Sequence, residues 1–246
     1  FVFFGGVKRI ASFTEKVVPL MAGLYILICF VIIIINYANI IKAFEAIFVN
    51  AFSAKSILGG FLGMGVKKAI RYGVARGLFS NEAGMGSTPH AHAIAKVKNP
   101  VEQGNVALIT VFIDTFIVLT LTALVILTSN IGDGTLTGIT LTQRAFENAL
   151  GYLGTIFIAI ALFFFAFSTI IGWYFFGEAN IKYLFGKKAI NVYRILVMIA
   201  IFIGSTQKVE LVWELADLFN GLMVIPNLIA LIVLYKLVVN TSSEYD

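Results

Sequence analysis

The chain has 246 residues, of which 59% are apolar and 13% are charged, and its formal net charge is +5. An ordinary globular chain is about 45–50% apolar and about 25% charged. This composition excludes a soluble globular domain, a disordered chain and a small disulfide scaffold, and it predicts an all-α integral membrane protein.

Uncharged apolar runs mark most of the predicted membrane crossings, because a crossing helix needs about 20 apolar residues. Val17–Ile35 is the first such run, with Pro19 near its start, where proline is tolerated. The single cysteine, Cys29, lies in this run and is expected to be a small buried side chain. We predict one transmembrane domain over residues 1–246 with six crossings, at about residues 17–36, 56–78, 104–129, 151–177, 190–206 and 211–236.

The second crossing is short and rich in glycine, and hydropathy alone would make it a loop. We predict a helix broken at the glycines, whose basic second half is buried in protein or faces water, since broken helices are tolerated only in such places. The distribution of basic residues supports this crossing. With six crossings and both ends cytoplasmic, 14 of the 18 Lys and Arg residues lie on the inner side, as the positive-inside rule requires.

Two segments on the predicted outer side have the character of surface helices. Ile40–Phe52 places its large apolar residues on one helical face and is expected to lie at the outer membrane interface. Asn130–Glu147 is richer in Gly and Thr and is expected to be an outer loop with a short helix.

The glycine cluster Gly59, Gly60, Phe61 and Gly63 is the first candidate site. Glycine lets the backbone leave the helix, and the freed N–H and C=O groups can hold an amino acid or an ion, as they do in transporters. The alternative is close helix packing through small residues.

Oxygen groups in the fourth crossing form a second candidate. Ser168 and Thr169 follow Phe165 by three and four residues and therefore share one helical face with it. Two hydroxyls and a freed carbonyl suit sodium, a hard cation, whereas the alternative is hydroxyls that bond back to the carbonyl one turn earlier.

Two further residues are singled out by type. Asp114 is an ionisable residue inside a crossing, so it is a candidate ion ligand or proton carrier, or one half of an internal ion pair. Trp173 is expected either to wall a pocket or to anchor the inner interface. His90 and His92 have no accompanying ligand cluster, so we expect no metal site there.

The inner segment Gly73–Pro89 reads GVARGLFSNEAGMGSTP and closely resembles the signature of the alanine/glycine:cation symporter family. Shorter pieces agree with it, and the resemblance covers essentially all 246 residues. These pieces are Lys8–Ala11, Thr14–Lys16 with Pro19, Phe112–Thr115, Gly172–Trp173, Ala216–Asp217, Asn220–Gly221 and Pro226–Asn227.

The resemblance implies a LeuT-type inverted-repeat fold of the amino acid–polyamine–cation superfamily, with the second repeat and the last helix of the first present here. It implies that Gly59, Gly60, Phe61 and Gly63 lie against the substrate, and Trp173 is a further candidate for the substrate pocket. The Phe165 carbonyl, Ser168 and Thr169 match the superfamily's sodium pattern. Arg76, Asn81 and Glu82 would lie at the cytoplasmic end of the broken helix and could form or break inner-gate pairs, while Asp114 keeps a possible coupling role.

The resemblance thus implies a multi-pass symporter of the plasma membrane that carries alanine or glycine with sodium by alternating access. We expect no organic cofactor, no nucleic acid partner and no enzymatic activity; the partners are the amino acid and the lipid bilayer. We also expect the amino-terminal half of the protein to be missing here, so that the chain alone does not transport. Proton coupling and a non-transporting channel or structural subunit are the alternatives.

Overall fold

The computed structural model describes residues 6–52, 63–82, 84–131 and 136–244, and within them the chain is helical with no strand. A 3₁₀ turn, Tyr37–Asn39, follows the first helix, and a π-helical segment, Ile113–Val118, joins the fifth to the sixth. The helices are α1 (Gly6–Ile35), α2 (Ile40–Phe52), α3 (Gly63–Asn81), α4 (Thr88–His92), α5 (Pro100–Phe112), α6 (Leu119–Thr128), α7 (Gly138–Leu150), α8 (Tyr152–Phe185), α9 (Ala189–Ser205) and α10 (Val209–Ser243).

Four helical stretches are long and apolar enough to cross a membrane, and α9 is a shorter apolar helix. This agrees with the predicted all-α integral membrane class. The predicted second crossing is not among the four; α3 forms its later part, and residues 56–62 lie outside the described ranges. The four stretches are Ser12–Ile35, Pro100–Thr128, Tyr152–Phe185 and Val209–Ser243.

Two of the long helices contain a proline. α1 begins at Gly6, so Pro19 lies in its interior, and the expectation that it stands near the helix start is wrong. Hydropathy marks the apolar part of a helix, whereas the helix itself continues through the charged turns before it. Pro226 lies inside α10. Each proline removes one backbone hydrogen bond from its helix.

The described residues 6–52, 63–73, 113–131 and 136–170 form one compact unit, called here the first unit. Its buried core brings together side chains of α1, α2, α6, α7 and α8. Cys29 is fully buried in this core, as predicted. Phe146 of α7 is also fully buried and stacks between Tyr25 and Phe157, with ring centroids 5.9 Å away in each case.

The described residues 74–82, 84–112 and 171–244 form the second unit. Here the end of α8 packs against α9. Tyr174 is buried and stacks on Tyr193 at 5.5 Å, and its hydroxyl joins the Arg194 guanidinium to the Glu178 carboxylate. Gly177 lies so close to Tyr193 that a Cβ there would overlap the tyrosine hydroxyl. The two helices therefore meet through polar contacts as well as apolar ones.

Candidate functional site

The predicted sodium ligands lie on α8 in the first unit. The Ser168 hydroxyl donates to the Phe165 carbonyl at 3.0 Å, so two of the three predicted oxygens are neighbours. Ser168 is half-buried and Thr169 is exposed. α8 is unbroken here, so the Phe165 carbonyl is not freed as expected; it accepts the Ser168 hydroxyl from three residues later, a back-bond one residue shorter than the predicted alternative.

The donor set still has the chemistry of a hard-cation site. All three groups supply oxygen, and rotation of the Ser168 hydroxyl would turn its proton away and leave two oxygens side by side. The Phe165 ring fixes this part of α8, because it packs edge-on against Tyr25 at 5.3 Å.

A buried polar pair beside this ring was not predicted from the sequence. The Thr122 hydroxyl donates to the Val118 carbonyl at 2.7 Å, so its single proton is used, and the Tyr25 hydroxyl must donate to the Thr122 oxygen at 2.8 Å. The sequence signal for this pair is weak, because it consists of one tyrosine within an apolar run and one threonine within another.

Asp114 lies in the π-helical segment of the first unit and is half-buried. π-helical turns are rare and occur frequently at functional sites. The sequence predicted a continuous crossing here and gave no sign of the extra residue in the turn. The structure thus adds a backbone irregularity to the ionisable side chain that the sequence singled out.

The predicted substrate residues are only partly described. Gly59, Gly60 and Phe61 lie outside the described residues, and Gly63 is the first residue of α3. Trp173 is half-buried in the second unit, where its ring packs edge-on against Phe176 at 5.8 Å.

Arg76 has a firm partner on α10. Its guanidinium pairs with the Asp217 carboxylate at 2.8 Å and lies 3.9 Å over the Trp213 ring, whose edge also meets Phe79 at 5.4 Å. Trp213 and Asp217 are four residues apart and therefore share a helical face. The Nη1 nitrogen of Arg76 is buried without a hydrogen-bond partner among the described atoms, and the aromatic face supplies attraction in its place.

Glu82 does not pair with this arginine. It begins a turn with left-handed backbone, φ +54°, and its carboxylate accepts hydrogen bonds from the Ser87 hydroxyl and, at 3.2 Å, from the Thr88 hydroxyl. Ser87 is almost fully buried. Glu82 therefore stabilises the loop that follows α3 through these hydrogen bonds.

Asn227 of α10 holds the same loop from outside. Its side-chain amide donates to the Gly84 carbonyl at 2.9 Å. Gly84 and Gly86 have φ of +74° and +78°, and a Cβ on Gly86 would lie 2.8 Å from the Asn227 Oδ1 atom. Glycine is needed at position 86 both for the backbone and for this close approach.

A cavity of about 990 Å³ lies beside this loop, within the second unit. Its wall is made by the loop, α4, the first turns of α5 and the middle of α10. The polar side chains in that wall are Asn81, Glu82, Thr88, His92, Gln103 and Asn227. Of the predicted gate residues, Asn81 and Glu82 thus share one cavity, while Arg76 is engaged elsewhere.

The model of the sodium:alanine symporter family matches the chain over residues 1–246. The chain is 42% identical to the sodium/alanine symporter AgcS of Methanococcus maripaludis and 40% identical to the amino-acid carrier protein AlsT of Bacillus subtilis, in each case over 100% of this chain and 54% or 52% of the relative. It is 44% identical to the probable sodium/glutamine symporter GlnT of B. subtilis, over 99% of this chain and 51% of the relative. The chain therefore spans about half the length of these relatives, a coverage that does not establish the expected missing half.

Proposed function

The chain belongs to the sodium:alanine symporter family, and we propose that it takes part in sodium-coupled symport of alanine or glycine across the plasma membrane by alternating access. The family is one of transporters, not of enzymes. The observation that carries the proposal is the family match over every residue of the chain, supported by relatives that bear the names of sodium/alanine symporters and amino-acid carriers.

The proposed arrangement in the membrane keeps the six crossings and the LeuT-type fold. Four long apolar helices and the shorter α9 support the first, third, fourth, fifth and sixth of these crossings. α3 supplies the later part of the second crossing. The excess of basic residues on one side supports cytoplasmic ends for both termini of the described chain.

We propose that sodium is held by the Phe165 carbonyl, Ser168 and Thr169. The 3.0 Å separation of the Phe165 and Ser168 oxygens supports this, because both belong to one α8 turn fixed by the Phe165 ring. Sodium bound there would favour one conformation of the transporter over another only through its differential affinity for the two.

The amino acid is proposed to lie against Gly59, Gly60, Phe61 and Gly63, with Trp173 as a further wall. The proposal for the glycines depends on the resemblance and on the freedom of a glycine backbone to present N–H and C=O groups to a zwitterion.

We propose that Arg76, Asn81 and Glu82 act in gating, each through a different contact. The Arg76–Asp217 pair joins α3 to α10, and Glu82 shapes the loop that ends α3. A conformational change that separates α3 from α10 must break the ion pair and uncover the Trp213 ring.

Uptake into proteoliposomes tests the proposal. The full gene product is reconstituted, and uptake of labelled alanine and glycine is measured with a sodium, a potassium or only a proton gradient imposed. We expect uptake only with sodium. Failure of both amino acids to enter under any gradient would contradict the proposed substrate class.

A matched pair of serine variants tests the ion site. Ser168→Ala is expected to raise the sodium concentration for half-maximal uptake by about tenfold, the effect of one lost ligand worth about 1.4 kcal/mol. Ser205→Ala is the control, because its hydroxyl makes the same bond to the carbonyl three residues earlier, at 2.7 Å, but lies on α9. An equal effect of both variants would show that the ion is held elsewhere.

A second candidate function is proton-coupled amino acid transport. The observation that favours it is Asp114, a half-buried carboxyl group in a π-helical turn within an apolar helix. Uptake driven by a proton gradient in the absence of sodium, and lost in Asp114→Asn, would support it.

A further inference from the structure

The loop that follows α3 contacts α10 at a depth in the membrane that was not predicted from the sequence. α10 has 35 residues and is about 52 Å long, more than the roughly 30 Å of a hydrocarbon core. Its charged residues stand near its ends, and residues 218–235 carry no charge. That run measures about 27 Å, close to the core thickness. Asn227, which binds the Gly84 carbonyl, lies at its middle.

The loop is therefore level with the middle of the membrane part of α10, whereas the sequence led us to expect it at the cytoplasmic end of a helix. Its backbone is irregular, with left-handed residues at Glu82, Gly84 and Gly86. Irregular backbone is tolerated at that depth only where it is buried in protein or lines a water-filled space.

The cavity of about 990 Å³ lies beside the loop. Its wall includes Asn227 and Leu231 of α10, and Pro100 and Leu108 of α5. Pro100 also lines a second cavity together with Leu237 near the end of α10, so α5 begins where the membrane part of α10 ends. The first cavity thus extends from the level of that end, the side of Lys236, toward the middle of the membrane.

Among the described residues, Glu82 supplies the one carboxylate in the wall of this cavity. Its carboxylate accepts hydrogen bonds from the Ser87 and Thr88 hydroxyls, neither of which carries a charge. One negative charge in the wall of a cavity with low-dielectric surroundings raises the local concentration of cations and lowers that of anions.

We propose that this cavity is a water-filled, cation-selective vestibule that reaches the middle of the membrane from the inner side, and that the Glu82 carboxylate sets its selectivity. The inference rests on the proposed function in one respect: the cationic groups to be admitted are a sodium ion and the ammonium group of the amino acid.

Thiol labelling tests the vestibule without any transport measurement. These 246 residues contain one cysteine, Cys29, which is fully buried. Cys29→Ala, with replacement of any cysteine elsewhere in the full gene product, gives a cysteine-free background. Leu231→Cys places a thiol in the cavity wall. Ile232→Cys is the control: the next residue along α10, at nearly the same depth, 71% exposed and not part of that wall.

Modification rates are measured in membrane vesicles with two membrane-impermeant methanethiosulfonates, one cationic and one anionic. We expect Leu231→Cys to react from the inner side and Ile232→Cys, which would face lipid, not to react. We also expect the cationic reagent to react about tenfold faster, relative to free thiol, than the anionic one. Unreactive Leu231→Cys, or equal reactivity at both positions, would overturn the vestibule.

Glu82→Gln, added to Leu231→Cys, tests the charge. It keeps the size and hydrogen-bonding capacity of the side chain, and we expect the preference for the cationic reagent to disappear while the anionic reagent reacts faster. Glu102→Gln is the control, since Glu102 lies near the start of α5 outside the cavity wall. An unchanged preference in Glu82→Gln would overturn the role of this carboxylate, even if uptake were sodium-dependent.

Protection of the Leu231→Cys thiol from modification distinguishes the sodium ion from the ammonium group of the amino acid. Slowing of the cationic reagent by sodium alone, with choline as the reference salt, would identify the ion, and slowing by alanine in choline would identify the ammonium group. If neither slowed the reaction, the assignment of the vestibule to the transported cations would be wrong.

Discussion

The close approach of Gly86 to Asn227 gives a prediction whose magnitude follows from the geometry. Gly84→Ala and Gly86→Ala both place a Cβ on left-handed backbone, which costs about 1–2 kcal/mol. Only Gly86→Ala also pushes a methyl group against the Asn227 side chain, because a Cβ on Gly84 meets open space. Overpacking adds about 1–3 kcal/mol. We therefore expect Gly86→Ala to destabilise the protein roughly twice as much as Gly84→Ala.

A double-mutant cycle isolates the contact. Asn227→Ala removes the Oδ1 and Cγ atoms that lie 2.8 and 3.0 Å from a Cβ on Gly86 and leaves its own Cβ at 3.2 Å. In that background Gly86→Ala should cost less than it does beside Asn227, and the difference between the two costs is the coupling between positions 86 and 227. The assay is the apparent melting temperature of the purified protein in detergent, at about 2–4 °C per kcal/mol for a chain of this size. Equal shifts for the two glycine variants in the presence of Asn227 would refute the proximity of loop and α10.

Two other contacts of the second unit give predictions with built-in controls. Gly177→Ala should lower the apparent melting temperature, because its methyl group overlaps the Tyr193 hydroxyl at a cost of about 1–3 kcal/mol. Gly172→Ala on the same helix is the control, because its methyl group meets open space and the variant should gain up to about 1 kcal/mol of helix propensity. Shifts of the same sign would contradict the packing of α8 on α9. Asp217→Asn should cost about 1 kcal/mol by leaving its arginine partner unpaired, while Glu214→Gln, exposed three residues earlier, should leave the melting temperature unchanged. Equal melting temperatures for these two variants would argue against the ion pair.

Elements with a strong local pattern could be predicted from the sequence. α2 has the bounds predicted from its amphipathic spacing, Ile40–Phe52, and the long apolar runs became long helices. The start of α1 could not be placed in this way. Its first turns carry Lys8, Arg9, Glu15 and Lys16, which end a hydropathy segment but not a helix.

Contacts between distant parts of the chain could not be predicted. Arg76 and Asp217 are 141 residues apart, and Gly84 and Asn227 are 143 apart, so no spacing rule relates them. Sequence reasoning gave Arg76 and Glu82 a shared gate, but their side chains have separate partners. Ser168 shows the intermediate case: its place on the helical face follows from spacing, and its hydroxyl binds a backbone carbonyl three residues earlier, where the predicted alternative had four.

Pro226 makes α10 easier to bend at the level of the loop. Proline has no N–H, so the Leu222 carbonyl lacks its usual helical partner, and the helix resists bending least at this point. Residues 227–243 form a lever about 25 Å long beyond it. A bend of about 10° would carry Ser243 about 4 Å sideways while Asn227, at the fulcrum, kept its hold on Gly84. The carboxy-terminal end of α10 can therefore swing to widen or narrow the cavity without releasing the loop that Asn227 binds.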